Sequence, residues 1–185
     1  HRAWRNTRIQ RCCDTSIPEQ RIRADRAAYY GMITELDEQL GELLDALEET
    51  GQMENTIVIF TSDHGDMMGE HGFFYKYAPY ADAAKVPLIV AGPGIGAGRT
   101  VNTPVSLVDV FATVVAIAGG EIPKDSRGVS LLPLTQNRQH GPPFVFMELN
   151  TERLDTGGFT IVQGKWKYNC YVGYPNQLFD LETDP

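Results

Sequence analysis

The densest cluster of chemistry-bearing side chains in this 185-residue chain is Thr61-Ser-Asp-His-Gly-Asp-Met-Met-Gly-Glu-His-Gly-Phe-Phe-Tyr-Lys76. It holds three carboxylates, two imidazoles and one lysine within 16 residues. Asp63 and His64 are adjacent, and Gly65 lets the backbone turn sharply enough to present both side chains to one ligand. A metal ion is the natural ligand. Aspartate oxygen favours hard cations such as calcium, and an imidazole widens the choice to manganese or zinc. Two ligands are too few for a specific site, so the others must come from elsewhere. On spacing alone, an Asp-His turn closed by its own hydrogen bonds accounts for the pair at least as well.

The elements around this cluster are those of an α/β protein. From about Ala24 to Glu49, apolar residues at Tyr29, Ile33, Leu36, Leu40, Leu43, Leu44 and Leu47 form a helical stripe opposite Glu35, Glu38, Glu42, Asp45 and Glu49. Gly51 is its stop signal. The acidic face reads as solvated helix surface. The run Thr56-Ile-Val-Ile-Phe60 suits a strand covered on both faces, and the Asp63–His64 pair follows directly at its carboxyl end, where α/β sheets place their sites. A second run, Val86-Pro-Leu-Ile-Val90, leads into the glycine loop Gly92 to Gly98. A further helix is expected from Ser106 to Ala118, with Ser106 and Asp109 as a capping pair, so Asp109 is assigned to capping and not to catalysis. After a Pro-, Gly- and Arg-rich connection over 121–143, four short strands are predicted: Phe144 to Glu148, Phe159 to Gln163, Lys165 to Tyr171 and Gln177 to Leu181. These would make a small antiparallel subdomain.

Composition excludes several classes of function. With 42% apolar and 22% charged residues the chain has the makeup of a folded globular protein. A net charge of -8 argues against a nucleic-acid partner, which needs clustered Lys and Arg. No apolar run approaches the roughly 20 residues that cross a bilayer, and no signal peptide is visible, so no membrane association is expected and the compartment stays open. Cys12, Cys13 and Cys170 fit neither a disulfide framework nor a zinc pattern and read as unpaired thiols; no complete Asn-x-Ser/Thr sequon is present. The glycine loop lacks the last glycine of G-x-G-x-x-G, and H-E-x-x-H, G-x-S-x-G and the P-loop pattern are all missing. Zincins, the common serine hydrolases and P-loop enzymes are thereby set aside.

Several spaced motifs stand in order: Tyr30 to Gly41, Asn55-Thr-Ile-Val-Ile-Phe-Thr-Ser-Asp-His-Gly-Asp66, Gly69-Glu-His-Gly72, Lys76, Val86 to Val90 and Gly92-Pro-Gly94. Val105 to Asp109, Ala118-Gly119, Gly128 to Leu131, Lys165-Trp-Lys-Tyr168 and Leu178 to Pro185 follow. In this order they resemble the sulfatases of the alkaline phosphatase superfamily. The resemblance covers roughly residues 25 to 185. It implies an alkaline-phosphatase-like sheet with covering helices plus a small C-terminal antiparallel subdomain. The divisions expected are an irregular segment over 1–23, the second part of the α/β catalytic domain over 24–142 and the β subdomain over 143–185. The resemblance assigns a divalent cation, usually calcium, to Asp63 and His64. It gives a catalytic, sulfate-binding role to Lys76, thirteen positions after Asp63, and leaves His71 either a place at the site rim or a packing role. The implied reaction is hydrolysis of a sulfate monoester of a small molecule or glycan, with the cation and a fixed ammonium compensating charge on the sulfuryl oxygens.

The chain departs from the family in one important respect. The nucleophile of such enzymes is a formylglycine made from a C-x-P-S-R or S-x-P-S-R motif, and none of the three cysteines stands in one. The N-terminal aspartate pair of the cation site is also lacking, His140 falls in the connecting region, and Ala112 stands where a proline often precedes the threonine at Thr113. The chain therefore reads as a C-terminal part, inactive alone, whose expected partner is the missing N-terminal segment. Two alternatives stand beside this: a phosphonate monoester hydrolase or phosphodiesterase of the same superfamily, and a non-catalytic fragment or pseudoenzyme. Tyr75, Tyr77 and Tyr80 either line an opening or are packed.

Overall fold

The computed structural model describes residues 16–136, 141–150 and 156–183. Cys12, Cys13 and His140 lie outside the described residues. The chain divides into two compact units, one ending at Gly94 and one beginning at Ile95.

In the first unit, helix α1 (Glu19–Glu49) leads through a 3-10 turn to strand β1 (Val58–Thr61), then a short helix α2 (Ala81–Ala84) and strand β2 (Leu88–Ala91). Helix α1 starts at Glu19, earlier than the apolar stripe at Ala24 suggests. Its first turns are held by local polar bonds instead: the Pro18 carbonyl accepts from the Arg21 and Ile22 amides. Ion pairs Arg23–Glu19 and Arg21–Asp25 span one turn each. The C-terminus is a Schellman motif, with Gly51 at φ 67, its N–H bonded to the Glu48 carbonyl and the Gln52 N–H to that of Leu47. Of the predicted stripe, Tyr29, Leu40, Leu44 and Leu47 are half-buried, while Ile33, Leu36 and Leu43 are exposed.

Strands β1 and β2 pair antiparallel, from Val58 opposite Ala91 to Thr61 opposite Leu88. Sequence alone suggested cover on both faces of β1. The strand is instead half-buried throughout, and Ile89 on β2 is 59% exposed, because β1 and β2 form a two-stranded sheet among the described residues.

The second unit opens with helix α3 (Val108–Ile117), which also ends in a Schellman motif at Gly119 and Gly120, and continues through the single turn α4 (Leu132–Thr135). Of the capping pair read from the sequence one half is formed: the Ser106 N–H donates to Asp109 Oδ2 at 2.8 Å, while the helix begins at Val108 rather than Ser106 and no side chain caps its first turn. Asp109 does more than this. Its Oδ1 accepts the Val129 N–H at 2.9 Å, and one turn on, Thr113 Oγ1 accepts the Leu131 N–H at 2.9 Å. Two side chains of α3 thus hold the 128–131 segment against the helix. Asp109 is only 3% exposed, so Asp109→Ala would leave two amide groups without their acceptor. A loss of about 3 kcal/mol is expected in urea unfolding, and a smaller one for Asp109→Asn, which keeps one acceptor.

The remainder is a four-stranded antiparallel meander of β3 (Val145–Leu149), β4 (Gly158–Gln163), β5 (Trp166–Tyr171) and β6 (Tyr174–Asp180), paired in that order. One face carries a buried polar chain: Thr160 Oγ1 donates to Asn169 Oδ1, Asn169 Nδ2 to Tyr171 Oη, and Tyr171 Oη to Gln177 Oε1. Where β6 bulges opposite Asn169–Tyr171, the Asn176 side-chain oxygen accepts the Tyr171 N–H in place of a ladder partner. At the β4–β5 turn Lys165 pairs with Asp180 at 2.7 Å, a hydrogen bond that holds the Asp180 carboxyl below its ordinary pKa. Among the described residues no helix is long and apolar enough to cross a membrane.

Candidate functional site

β1 ends at Thr61, whose hydroxyl donates to the Pro87 carbonyl and fixes the strand end to the segment entering β2. The chain then turns. Ser62 Oγ donates to the His64 carbonyl, and Asp63 Oδ1 accepts the His64 N–H at 2.9 Å. These are the local bonds of the Asp-His turn considered from spacing alone, and they leave Asp63 Oδ2 out of the turn.

The imidazole of His64 is oriented by its neighbours. Nδ1 lies 2.8 Å from the Gly65 carbonyl, which can only accept, so Nδ1 carries the proton and Nε2 presents a lone pair. Lys76 Nζ donates to that lone pair at 2.6 Å. Asp63 Oδ2 stands 3.4 Å from the same Nε2. A carboxylate oxygen, an imidazole lone pair and an ammonium therefore meet at the end of β1. Asp63 is 82% exposed, so this meeting point is open to a ligand. Asp63, His64 and Lys76, singled out from the sequence, are brought together.

Lys76 reaches His64 because the intervening segment folds back on itself. The Met67 N–H bonds to the Tyr75 carbonyl and the Gly69 N–H to that of Phe73, while the Met67 and Phe73 side chains are fully buried beneath the loop. Three non-glycine residues adopt left-handed backbone conformations here: Met68 at φ 45, His71 at φ 53 and Tyr75 at φ 63. Such conformations cost on the order of 1–3 kcal/mol each and persist where the surroundings over-determine them. Arg26 of α1 supplies part of that constraint, its Nε donating to the Met68 carbonyl and its Nη2 pairing with Glu70 at 2.6 Å.

His71 lies on the ring of Tyr80, with centroids 4.5 Å apart. Of the three tyrosines, Tyr80 is buried, Tyr77 half-buried and Tyr75 58% exposed. Sequence reasoning gave no role to Arg26, whose partners lie more than forty residues away. Asp66 was counted in the cluster without a role. Its bond to the Met68 N–H is a local Asx turn, visible in principle from sequence.

The donor set suits a divalent cation in kind: one carboxylate oxygen and one imidazole nitrogen, within reach of a common centre. Among the described residues no group of three or more His, Cys, Asp or Glu comes together, so further ligands would come from outside this pair. Binding at Nε2 would also require Lys76 to swing off that lone pair, which its exposed position allows.

The sequence matches the Sulfatase family over residues 3–120 and the family "N-sulphoglucosamine sulphohydrolase, C-terminal" over residues 69–185. Choline-sulfatase from Rhizobium meliloti (strain 1021) is 41% identical over 96% of the chain and 36% of its own length. Arylsulfatase K from Rattus norvegicus is 40% identical over 94% of the chain and 33% of its own length. The chain thus spans about a third of the curated relatives it matches. Among solved structures, the phosphonate monoester hydrolase from Silicibacter pomeroyi superposes with a TM-score of 0.84 at 26% identity, over 92% of this chain and 37% of that one.

Proposed function

The chain belongs to the sulfatase family, and from that membership we propose that it supplies part of the active site of a sulfuric ester hydrolase. Asp63 and His64 are cation ligands in this reading, and Lys76 is the catalytic, sulfate-binding residue. The observation that carries it is the convergence of Asp63 Oδ2 and Lys76 Nζ on His64 Nε2, at 3.4 and 2.6 Å, at the exposed end of β1.

A divalent cation, calcium first and manganese or zinc next, supplies a Lewis acid for a sulfuryl oxygen when bound. The chain's own residues do the rest of what is proposed. Gly65 O fixes the His64 tautomer, leaving Nε2 to ligate. Lys76 contributes a fixed positive charge to the oxygens that gain negative charge as the ester bond breaks. His71, exposed and seated on Tyr80, belongs to the rim. The nucleophile, a formylglycine, is placed outside these residues, since no C-x-P-S-R or S-x-P-S-R sequence occurs in them. The 185-residue chain alone is accordingly expected to be inactive. The substrate class is a sulfate monoester of a small molecule or glycan. The match to a family named for N-sulphoglucosamine supports a sugar, and the identity to choline-sulfatase supports a small molecule.

The superposition on a phosphonate monoester hydrolase favours a second reading, hydrolysis of a phosphonate ester at the same groups. The two separate in one assay. The polypeptide that carries this chain together with its nucleophile segment is given 4-nitrophenyl sulfate and 4-nitrophenyl phenylphosphonate, each with and without chelator. Faster, chelator-sensitive turnover of the sulfate ester is expected. Preference for the phosphonate would transfer the site to the second reading, and turnover of neither would leave a binding or structural role.

A further inference from the structure

We infer that Asp66 is the positioning residue of Lys76, an inference that rests on the role just proposed for Lys76. Asp66 Oδ1 accepts two backbone N–H groups, from Met68 at 2.9 Å and from Tyr75 at 3.1 Å. Both donors sit in the left-handed region, at φ 45 and φ 63. One carboxylate oxygen therefore ties the outgoing and returning limbs of the 66–75 loop at its neck, beside the Met67–Tyr75 backbone bond.

The position of Tyr75 gives this tie its meaning. Tyr75 is the residue before Lys76, and its backbone conformation sets the direction in which Lys76 leaves the loop. Nothing buries either side chain: Tyr75 is 58% exposed and Lys76 is exposed as well. Burial holds the loop through Met67 and Phe73, but Tyr75 is held by polar bonds at the neck. A β-branch-free aromatic residue gains nothing intrinsic from φ 63, so its conformation needs an external constraint, and the Asp66 bond to its N–H supplies one. Loss of that bond frees Tyr75 to return to the right-handed or extended region, and the Lys76 ammonium is then no longer held beside the Asp63–His64 pair. A catalytic group misplaced by about 1 Å can cost on the order of 100-fold in rate.

The test is a double-mutant cycle in the complete enzyme, with a second measurement that needs no turnover. Asp66→Ala is expected to lower kcat at least about tenfold, whereas Asp66→Asn, which keeps an acceptor at Oδ1, should stay within about threefold of wild type. In a Lys76→Met background the Asp66→Ala loss should vanish, since a residue that acts through Lys76 has nothing left to position. Hydrogen exchange should show the Met68 and Tyr75 amides losing protection in Asp66→Ala while Gly69 and Phe73 keep theirs. If Asp66→Ala does not fold, Asp66→Glu, which retains the charge and displaces the acceptor by one methylene, takes its place with the same expectations.

The outcomes separate the two claims. No effect of Lys76→Met on sulfate ester turnover would overturn the role of Lys76 itself. A large Lys76→Met effect with an independent, additive Asp66→Ala loss would leave that role intact and overturn the positioning of Lys76 by Asp66.

Discussion

A Gly65→Ala variant is expected to lose about 3 kcal/mol of stability and, in the complete enzyme, nearly all activity. A β-carbon at this position would lie 1.9 Å from the Asp82 carbonyl oxygen and 3.0 Å from its carbon. Both atoms are backbone, so no side-chain rotation relieves the contact. The approach is enforced from the other side by the Gly65 N–H, which bonds to the Ala83 carbonyl at 2.8 Å. Alanine must therefore break that bond or push α2 away from the turn. Because the Gly65 carbonyl also orients His64 through Nδ1, a displaced turn would release the imidazole as well. Urea unfolding gives the first effect and ester turnover the second. A variant with a wild-type unfolding midpoint would show that the turn has slack the structure does not suggest.

The opposite signature is expected two residues earlier. Asp63→Asn should leave stability within about 0.5 kcal/mol of wild type, because the side chain is 82% exposed and asparagine keeps the Oδ1 acceptor for the His64 N–H. What it loses is the negative charge, which a hard cation needs most. Calcium affinity of the complete enzyme, measured by titration calorimetry, should fall at least about 100-fold, and kcat/KM by about 1,000-fold, comparable to the loss of a transition-state charge partner. Unchanged calcium affinity would remove Asp63 from the ligand set. Taken together, the two variants distinguish a residue that builds the turn from one that uses it.

Much of this was legible in the sequence because it is written in local chemistry. The helix stop at Gly51, the bond from the Ser106 N–H to Asp109 and the four C-terminal strands all follow from residues a few positions apart, and each is formed. The placement of Asp63 and His64 at a strand end follows from an apolar run giving way to polar residues and glycine. The long-range bonds were not legible. Arg26 meets Met68 and Glu70 across more than forty residues, and no periodicity announces that encounter. The start of α1 was missed because its first turn is held by charge pairs and the Pro18 carbonyl, not by an apolar stripe. Burial was overestimated at β1 and along α1, since an apolar run records which surface can be covered and not whether these residues cover it.

The C-terminal meander carries a consequence for how the chain acquires its structure. Every strand in it pairs with its neighbour in sequence, and the β4–β5 and β5–β6 connections are two-residue turns, Gly164-Lys165 and Val172-Gly173. Closing such short loops carries little entropic cost, and hairpins of this kind form in roughly 1–10 μs. The Asp109–Val129 tie closes a loop about ten times longer, and the Arg26–Glu70 pair a longer one still. The order of assembly would then run against the order of importance for chemistry. The sheet farthest along the chain from Asp63 and Lys76 can zip early, and the loop that carries those residues, dependent on distant closures and left-handed backbone, is completed late.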